Sequence, residues 1–154
     1  MNIFYQSLLL APNRIIAHGV NCMGAFGSGL AYQIAITHPE VKKFYLKKYH
    51  EEGWALGDIQ MVACDSEEYC KSGRIVVNMA TQNTYGRSGQ HVSYDAIEQC
   101  LDKLFKICKE FGHVPALPQI GCGLGGGDWN VVSKIIECKV LQYDVGVDVY
   151  ITRR

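Results

Sequence analysis

Apolar runs of strand length alternate along the chain with apolar residues at helical spacing. Nearly continuous apolar runs predict strands at residues 2–10, 14–20, 59–64, 74–80, 114–120 and 145–152. Apolar residues recurring every three or four positions predict helices at residues 31–37, 39–49, 92–111 and 129–143. Polar segments at 65–73 and 81–90 predict a turn and a loop between neighbouring strands and helices.

This alternation of strands and helices predicts an α/β fold, with a mostly parallel or mixed sheet between layers of helices. No linker, internal repeat or low-complexity segment interrupts the pattern. A length of 154 residues suits one domain with a substantial core. We therefore expect a single domain over residues 1–154.

The composition narrows the possible partners and cellular location. Lys plus Arg and Asp plus Glu number 15 each, so the totals give no basic surface typical of nucleic-acid or membrane binding. The seven cysteines form no CxxC pair, and we expect reduced thiols in a cytoplasmic protein without a signal peptide or membrane span. No His/Cys/Asp cluster has metal-ligand spacing. We expect a monomer with neither metal nor cofactor.

The most informative stretch is residues 118–129, which contains five of the sixteen glycines. It lies between a predicted strand and a predicted helix. Glycine lets backbone N–H groups approach an anion closely, and a helix N-terminus adds further donors. A ligand-free tight turn needs only one or two glycines. We therefore favour a phosphate-binding loop.

A second glycine-rich loop, at residues 21–30, also follows a predicted strand and precedes a helix. Ligands of open α/β sheets bind beyond the carboxyl ends of the strands. Both glycine loops and the 81–90 loop leave such ends, which predicts that all three meet at one crevice. Neither glycine loop matches the P-loop or the dinucleotide-binding fingerprint.

Together the two glycine loops resemble a macro domain. The resemblance rests on residues 18–31 (HGVNCMGAFGSGLA) and 117–129 (LPQIGCGLGGGDW), in matching order and strand–loop–helix context. It is closest to the small members that include terminal ADP-ribose glycohydrolases and ADP-ribose-1''-phosphate phosphatases. The run Asn21-Cys22-Met23-Gly24 favours the phosphatase-like members. The resemblance implies a three-layer α/β/α sandwich with a central mixed sheet.

The resemblance also implies the ligand, ADP-ribose or ADP-ribose-1''-phosphate, with the first loop at the distal ribose and the second at the diphosphate. The residues expected to bind it are Ser7, Gly24, Ala25, Phe26, Gly27, Ser28, Gly29, Leu30, Thr81, Gln82, Tyr85, Ile120, Gly121, Cys122, Gly123, Leu124, Gly125, Gly126 and Gly127.

Three positions depart from the family pattern. Ser7 stands where many macro domains carry an aspartate that receives the adenine amino group, which predicts weak selectivity for adenine. The lysine of the glycohydrolases that cleave ADP-ribose from glutamate is replaced by Thr81-Gln82, and Gly125 occupies the place of their acid. Glutamine cannot form a Schiff base, so a covalent lysine route is disfavoured.

Four residues are candidates for catalysis, each with a structural alternative. Asn21 could hold the distal ribose or a water, or cap a turn. His18 could act as acid, base or phosphate donor, or be a satisfied core histidine. His91 could protonate a leaving group, or begin a solvated helix. Asp128 could act at the phosphate, or cap the helix that follows.

Aromatic and cysteine side chains near the loops have plainer alternatives. Phe26 and Tyr85 could stack on a ribose or base, with ordinary packing as the default for each. Cys22 and Cys122 have no evident activating base and are expected to be packing residues.

Three functions follow from these residues. The first is a phosphatase that removes the terminal phosphate of ADP-ribose-1''-phosphate. The second is a module that binds ADP-ribose without turnover. The third is removal of ADP-ribose by a water held on Asn21.

Overall fold

The computed structural model describes residues 1–64, 73–86 and 88–152. Within these residues, six strands form one sheet: β1 (Asn2–Phe4), β2 (Ile15–Asn21), β3 (Ile59–Cys64), β4 (Arg74–Gln82), β5 (Ala116–Leu117) and β6 (Asp148–Tyr150). The helices are α1 (Gly29–Thr37), α2 (Pro39–Glu51), α3 (Tyr94–Phe111) and α4 (Trp129–Tyr143). Most of the turn predicted at 65–73 lies outside the described residues.

The sheet is mixed, as predicted. Its strand order is β1-β6-β5-β2-β4-β3. The first four neighbouring pairs in this order, β1–β6, β6–β5, β5–β2 and β2–β4, are parallel. The edge strand β3 pairs antiparallel with β4. The carboxyl ends of β2, β4 and β5 therefore point to the same edge of the sheet, and the loops that follow them start there.

The two faces of the sheet carry separate apolar clusters, which confirms the three-layer sandwich. On one face, Ile15 and Ala17 of β2 pack with core residues of α3 and α4, such as Leu101 and Ile136. On the other face, Ile16 of β2 packs with core residues of α1 and α2. The alternation of side chains along β2 thus places one helical layer on each side.

Three predicted strands are longer than the observed ones. The strand predicted at 2–10 ends at Phe4, and a 3-10 helix follows at Leu8–Leu10. The strand predicted at 114–120 shrinks to Ala116–Leu117, because Pro115 and Pro118 flank it and cannot donate a ladder hydrogen bond. The closing strand covers Asp148–Tyr150 within the predicted 145–152.

Candidate functional site

A cleft of about 640 Å³ opens at the carboxyl ends of β2, β4 and β5. All three predicted loops contribute to it, so their convergence is confirmed. Its lining residues are His18, Gly19, Val20, Asn21, Ala25, Phe26, Gly27, Ser28, Gly29, Leu30, Ala31, Thr81, Gln82, Tyr85, Gly86, Pro118, Gln119, Ile120, Gly121, Gly123, Leu124 and Gly125.

The Asn21 side chain organises the first glycine loop. Its Oδ1 accepts the N–H groups of Met23 at 2.9 Å and Ala25 at 3.2 Å, and its Nδ2 donates to the Ala25 carbonyl at 2.7 Å. This local network is the turn-capping alternative considered from the sequence. Asn21 borders the cleft, but most of its hydrogen-bonding capacity holds its own loop.

Tyr45 of α2 fixes the same loop from behind. Its hydroxyl donates to the Asn21 carbonyl at 2.7 Å and accepts the Gly24 N–H at 3.1 Å. Burial raises the pKa of Tyr45 to about 12, so the donor proton is retained at neutral pH. Sequence reasoning missed Tyr45, because an aromatic on the core-facing side of a helix ordinarily indicates packing alone.

The first turn of α1 faces the cleft with free donors. Ser28 occupies the N-cap position, yet its side chain makes no capping hydrogen bond. Among the described residues, the backbone N–H groups of Gly29, Leu30 and Ala31 have no acceptor. An uncapped helix N-terminus of this kind attracts an anion through its donors and its dipole.

The second glycine loop is packed against the 81–92 segment. The Gly125 carbonyl accepts the N–H groups of His91 at 2.8 Å and Val92 at 3.1 Å. A Cβ on Gly126, whose φ is 71°, would collide with the Gly89 carbonyl oxygen, and one on Gly127 would lie 2.8 Å from the Gly121 oxygen. Part of the glycine richness therefore serves loop packing, which corrects the argument that glycine number alone indicates a ligand.

Gly123 differs from these packed glycines. A Cβ built on it meets no described atom within 4 Å, and Gly123 borders the cleft. The N–H groups of Gly123, Leu124 and Gly125 have no acceptor among the described residues. This short segment is thus a second row of backbone donors without acceptors, and it lines the same cleft as the first turn of α1.

His18 lies in the cleft floor as a buried, neutral histidine. It is 1% exposed, and its Nε2 lies 2.5 Å from Oδ1 of Asn78. Burial lowers the pKa of His18 to about 4, against a weaker opposing effect of the Asn78 hydrogen bond. The imidazole is therefore neutral near pH 7, which agrees with the core-histidine alternative and disagrees with a general-acid role.

His91 and Asp128 are not among the residues that line the cleft, and a catalytic role for either stays a prediction. His91 braces its own loop, with Nδ1 2.9 Å from Oγ1 of Thr84 and Nε2 donating to the Ser88 carbonyl at 2.8 Å. Asp128 caps α4 by accepting the Asn130 N–H at 2.8 Å. The capping alternative for Asp128 is confirmed.

Five residues expected to touch the ligand also lie outside the lining: Ser7, Gly24, Cys122, Gly126 and Gly127. The Ser7 hydroxyl accepts the Leu9 N–H at 3.2 Å and caps the 3-10 helix. Its contact with adenine stays a prediction. The other four lie in the two glycine loops, whose shape they help to set.

The remaining candidates divide into packing residues and one exposed ring. Phe26 is 4% exposed and packs between His18 and Tyr45, with ring centroids 5.6 Å and 4.9 Å away. Tyr85 is 57% exposed at the cleft, and stacking on a ligand stays a prediction for it. Burial raises the pKa of Cys22, and raises that of Cys122 to about 11, so both remain thiols.

Gly19 borders the cleft without having been predicted to do so. A glycine inside an otherwise apolar strand often marks a close approach of another group, and that signal could have identified it. Among the described residues, no three His, Cys, Asp or Glu side chains lie together as potential metal ligands. Within the same residues, no helix is long and apolar enough to cross a bilayer.

Comparisons with known proteins agree with this architecture. The family model of the macro domain matches residues 17–136. An uncharacterized 17.5 kDa protein of Enterobacteria phage T4 is 30% identical over 84% of this chain and 81% of its own length. The ADP-ribose 1''-phosphate phosphatase of Saccharomyces cerevisiae is 26% identical over 88% of this chain and 92% of its own.

A solved structure, the macrodomain of Mycobacterium tuberculosis DarG, superposes with a TM-score of 0.81 at 26% identity, covering 96% of each chain. The family model spans most of the described sheet and both glycine loops. The chain therefore belongs to the macro domain family.

Proposed function

We propose that this chain binds ADP-ribose and ADP-ribose-1''-phosphate in the cleft between the two glycine loops. The observation that carries the proposal is that two rows of N–H groups without acceptors among the described residues, at Gly29 to Ala31 and at Gly123 to Gly125, belong to residues that line the same cleft. The name of the yeast relative, an ADP-ribose 1''-phosphate phosphatase, supports the choice of ligand.

The donor rows suit a diphosphate diester. Each of its two phosphates carries a single negative charge, and charge-assisted hydrogen bonds from N–H groups are stronger than neutral ones. The described lining contains no Lys, Arg, Asp or Glu. Binding would therefore depend on backbone dipoles and on the α1 N-terminus, with no carboxylate in the lining to repel the diphosphate.

We further propose that the bound 1''-phosphate is hydrolysed. Phosphoryl transfer depends mostly on positioning and on stabilising charge, which oriented N–H groups provide without a titratable side chain. Since His18 is neutral and buried while His91 and Asp128 lie outside the cleft, this route assigns the stabilisation to the backbone donors. Asn21 would act by holding the first loop in place.

Binding without turnover is the second candidate. It is favoured by the structural partners that each of the four predicted catalytic residues already has. Removal of ADP-ribose by a water on Asn21 is less well supported, because the Oδ1 of Asn21 already accepts two backbone N–H groups.

The deciding experiment measures phosphate release from ADP-ribose-1''-phosphate beside calorimetric titration with ADP-ribose. Gly27→Glu is the variant designed to block the cleft without disturbing the fold. A Cβ at Gly27 meets no described atom within 4 Å, and the glutamate side chain would enter the cleft. Phosphate release by the unmodified protein, abolished in Gly27→Glu, would support the phosphatase. Binding without release would support the second candidate, and absence of both would refute the proposal.

A further inference from the structure

One buried polar atom on the cleft floor has no partner in the protein. Thr81 is the second-last residue of β4, is 1% exposed and lines the cleft. Its Oγ1 makes no hydrogen bond with any described residue. Four other buried side-chain atoms in the described part share that condition, and none of their residues borders the cleft.

The Thr81 hydroxyl lies close to β2. The register between β2 and β4 shifts after Val20, which pairs with Ala80, so that Asn21 pairs with Gln82 and Thr81 is passed over. A Cβ on Gly19 would lie only 2.6 Å from the Thr81 oxygen. The missing side chain of Gly19 therefore creates the space that the hydroxyl occupies.

The backbone of Thr81 is held firmly, whereas its hydroxyl is unpaired. Its carbonyl accepts the Ser93 N–H at 2.8 Å. The next residue, Gln82, uses its amide within the loop, where Nε2 donates to the Thr84 carbonyl at 2.8 Å. At this end of β4, the Thr81 hydroxyl is a buried side-chain donor that has no partner among the described residues.

Buried polar groups in folded proteins are nearly always hydrogen bonded, and unpaired ones call for a ligand or a water. Thr81 is almost completely buried, and it is one of the residues that line the cleft. We infer that Thr81 is a specificity-determining residue whose hydroxyl donates a hydrogen bond to an oxygen of the sugar–phosphate part of the bound nucleotide. This inference rests on the proposed function.

The test compares Thr81→Val, which replaces the hydroxyl by a methyl group, with Thr81→Ser, which keeps the hydroxyl. Loss of one hydrogen bond to the ligand should weaken ADP-ribose binding by Thr81→Val about tenfold, while Thr81→Ser stays within about threefold. The unliganded Thr81→Val protein should unfold at the same temperature as the unmodified protein or higher, since no internal hydrogen bond is lost.

Titration with ADP identifies the contacted oxygen. If the hydroxyl contacts the diphosphate, Thr81→Val should weaken ADP and ADP-ribose alike. If it contacts the distal ribose, only ADP-ribose should be weakened. Either pattern supports the inference.

Three results would overturn it. Unchanged ADP-ribose affinity in Thr81→Val would mean that the hydroxyl serves only a water, and the proposed function would still stand. Weaker binding that merely follows a lowered unfolding temperature would make Thr81 structural. If the unmodified protein itself fails to bind ADP-ribose, the proposed function and this inference fall together.

Discussion

Two glycines three residues apart in the second loop should respond in opposite ways to substitution. Gly123 has open space beside its Cα, and its position borders the cleft. Gly126 has a φ of 71° and packs against the Gly89 carbonyl. Side chains at Gly123 should therefore affect ligand binding, while even a methyl group at Gly126 should affect folding.

The size of the binding effect follows from charge and space. A Gly123→Glu carboxylate about 5 Å from one diphosphate charge, at an effective dielectric constant of about 20, costs about 3 kcal/mol, or roughly two orders of magnitude in Kd. Gly123→Gln fills the same space without the charge and should cost about tenfold. Gly123→Ala adds only a methyl group and should bind within about threefold of the unmodified protein.

The stability effect at Gly126 has a different origin. An alanine in the left-handed region costs about 1–2 kcal/mol, and the collision with the Gly89 carbonyl adds to that cost. Gly126→Ala should therefore lower the unfolding temperature, whereas the three Gly123 variants should keep it.

Calorimetric titration with ADP-ribose and thermal unfolding of the same preparations measure both effects. Folded Gly123→Glu protein that binds like the unmodified protein would refute the placement of the ligand. Gly126→Ala protein as stable as the unmodified protein would refute the loop-packing argument.

Other substitutions test the supports of the site. Tyr45→Phe removes the hydroxyl that holds the first loop, so ADP-ribose affinity should fall several-fold, with about 1 kcal/mol of stability lost in urea unfolding; unchanged values would remove Tyr45 from the site. His18 has a folded pKa of about 4 against 6.5 for an ordinary histidine, so the unfolded chain gains a proton first as pH falls. Its contribution to stability should decline between pH 6.5 and 4 by up to about 3 kcal/mol, and unfolding curves of His18→Gln should lack this component. Asp128→Asn should keep stability, phosphate release and binding, because asparagine caps as well as aspartate, while Asp128→Ala should lose about 1 kcal/mol of unfolding free energy; lost phosphate release in folded Asp128→Asn would restore its catalytic role.

The long elements could be predicted because local patterns determine them. The strand at 59–64 and the helix at 129–143 have the predicted bounds, and Asp128 marks the start of that helix as a cap. The convergence of the loops followed from the expectation that all three leave the carboxyl ends of strands, where open α/β sheets bind their ligands. The apolar pattern predicted too long a strand at β5. The flanking prolines cannot donate ladder hydrogen bonds, so only two residues of the apolar run pair with neighbouring strands.

The details of the site could not be read in the same way, because they depend on contacts between distant segments. Gly126 and Gly127 look like ligand-binding glycines in sequence, yet both lie outside the cleft lining, and an added Cβ would collide with Gly89 and Gly121 respectively. Tyr45 reaches the first loop from a helix more than twenty positions further along the chain. His91 has the residue type of an acid catalyst, but the fold turns both ring nitrogens toward its own loop.

Titration of ¹⁵N-labelled protein with ADP-ribose, followed by amide resonances, tests the central claim most directly. Saturable shifts should concentrate on the amides of Gly29 to Ala31 and Gly123 to Gly125, the two donor rows that face the cleft. The amide of Gly112, at the distant end of α3, should stay unchanged as an internal reference. Absence of shifts at millimolar ADP-ribose, or shifts confined to residues outside the cleft, would contradict ligand binding by the glycine loops.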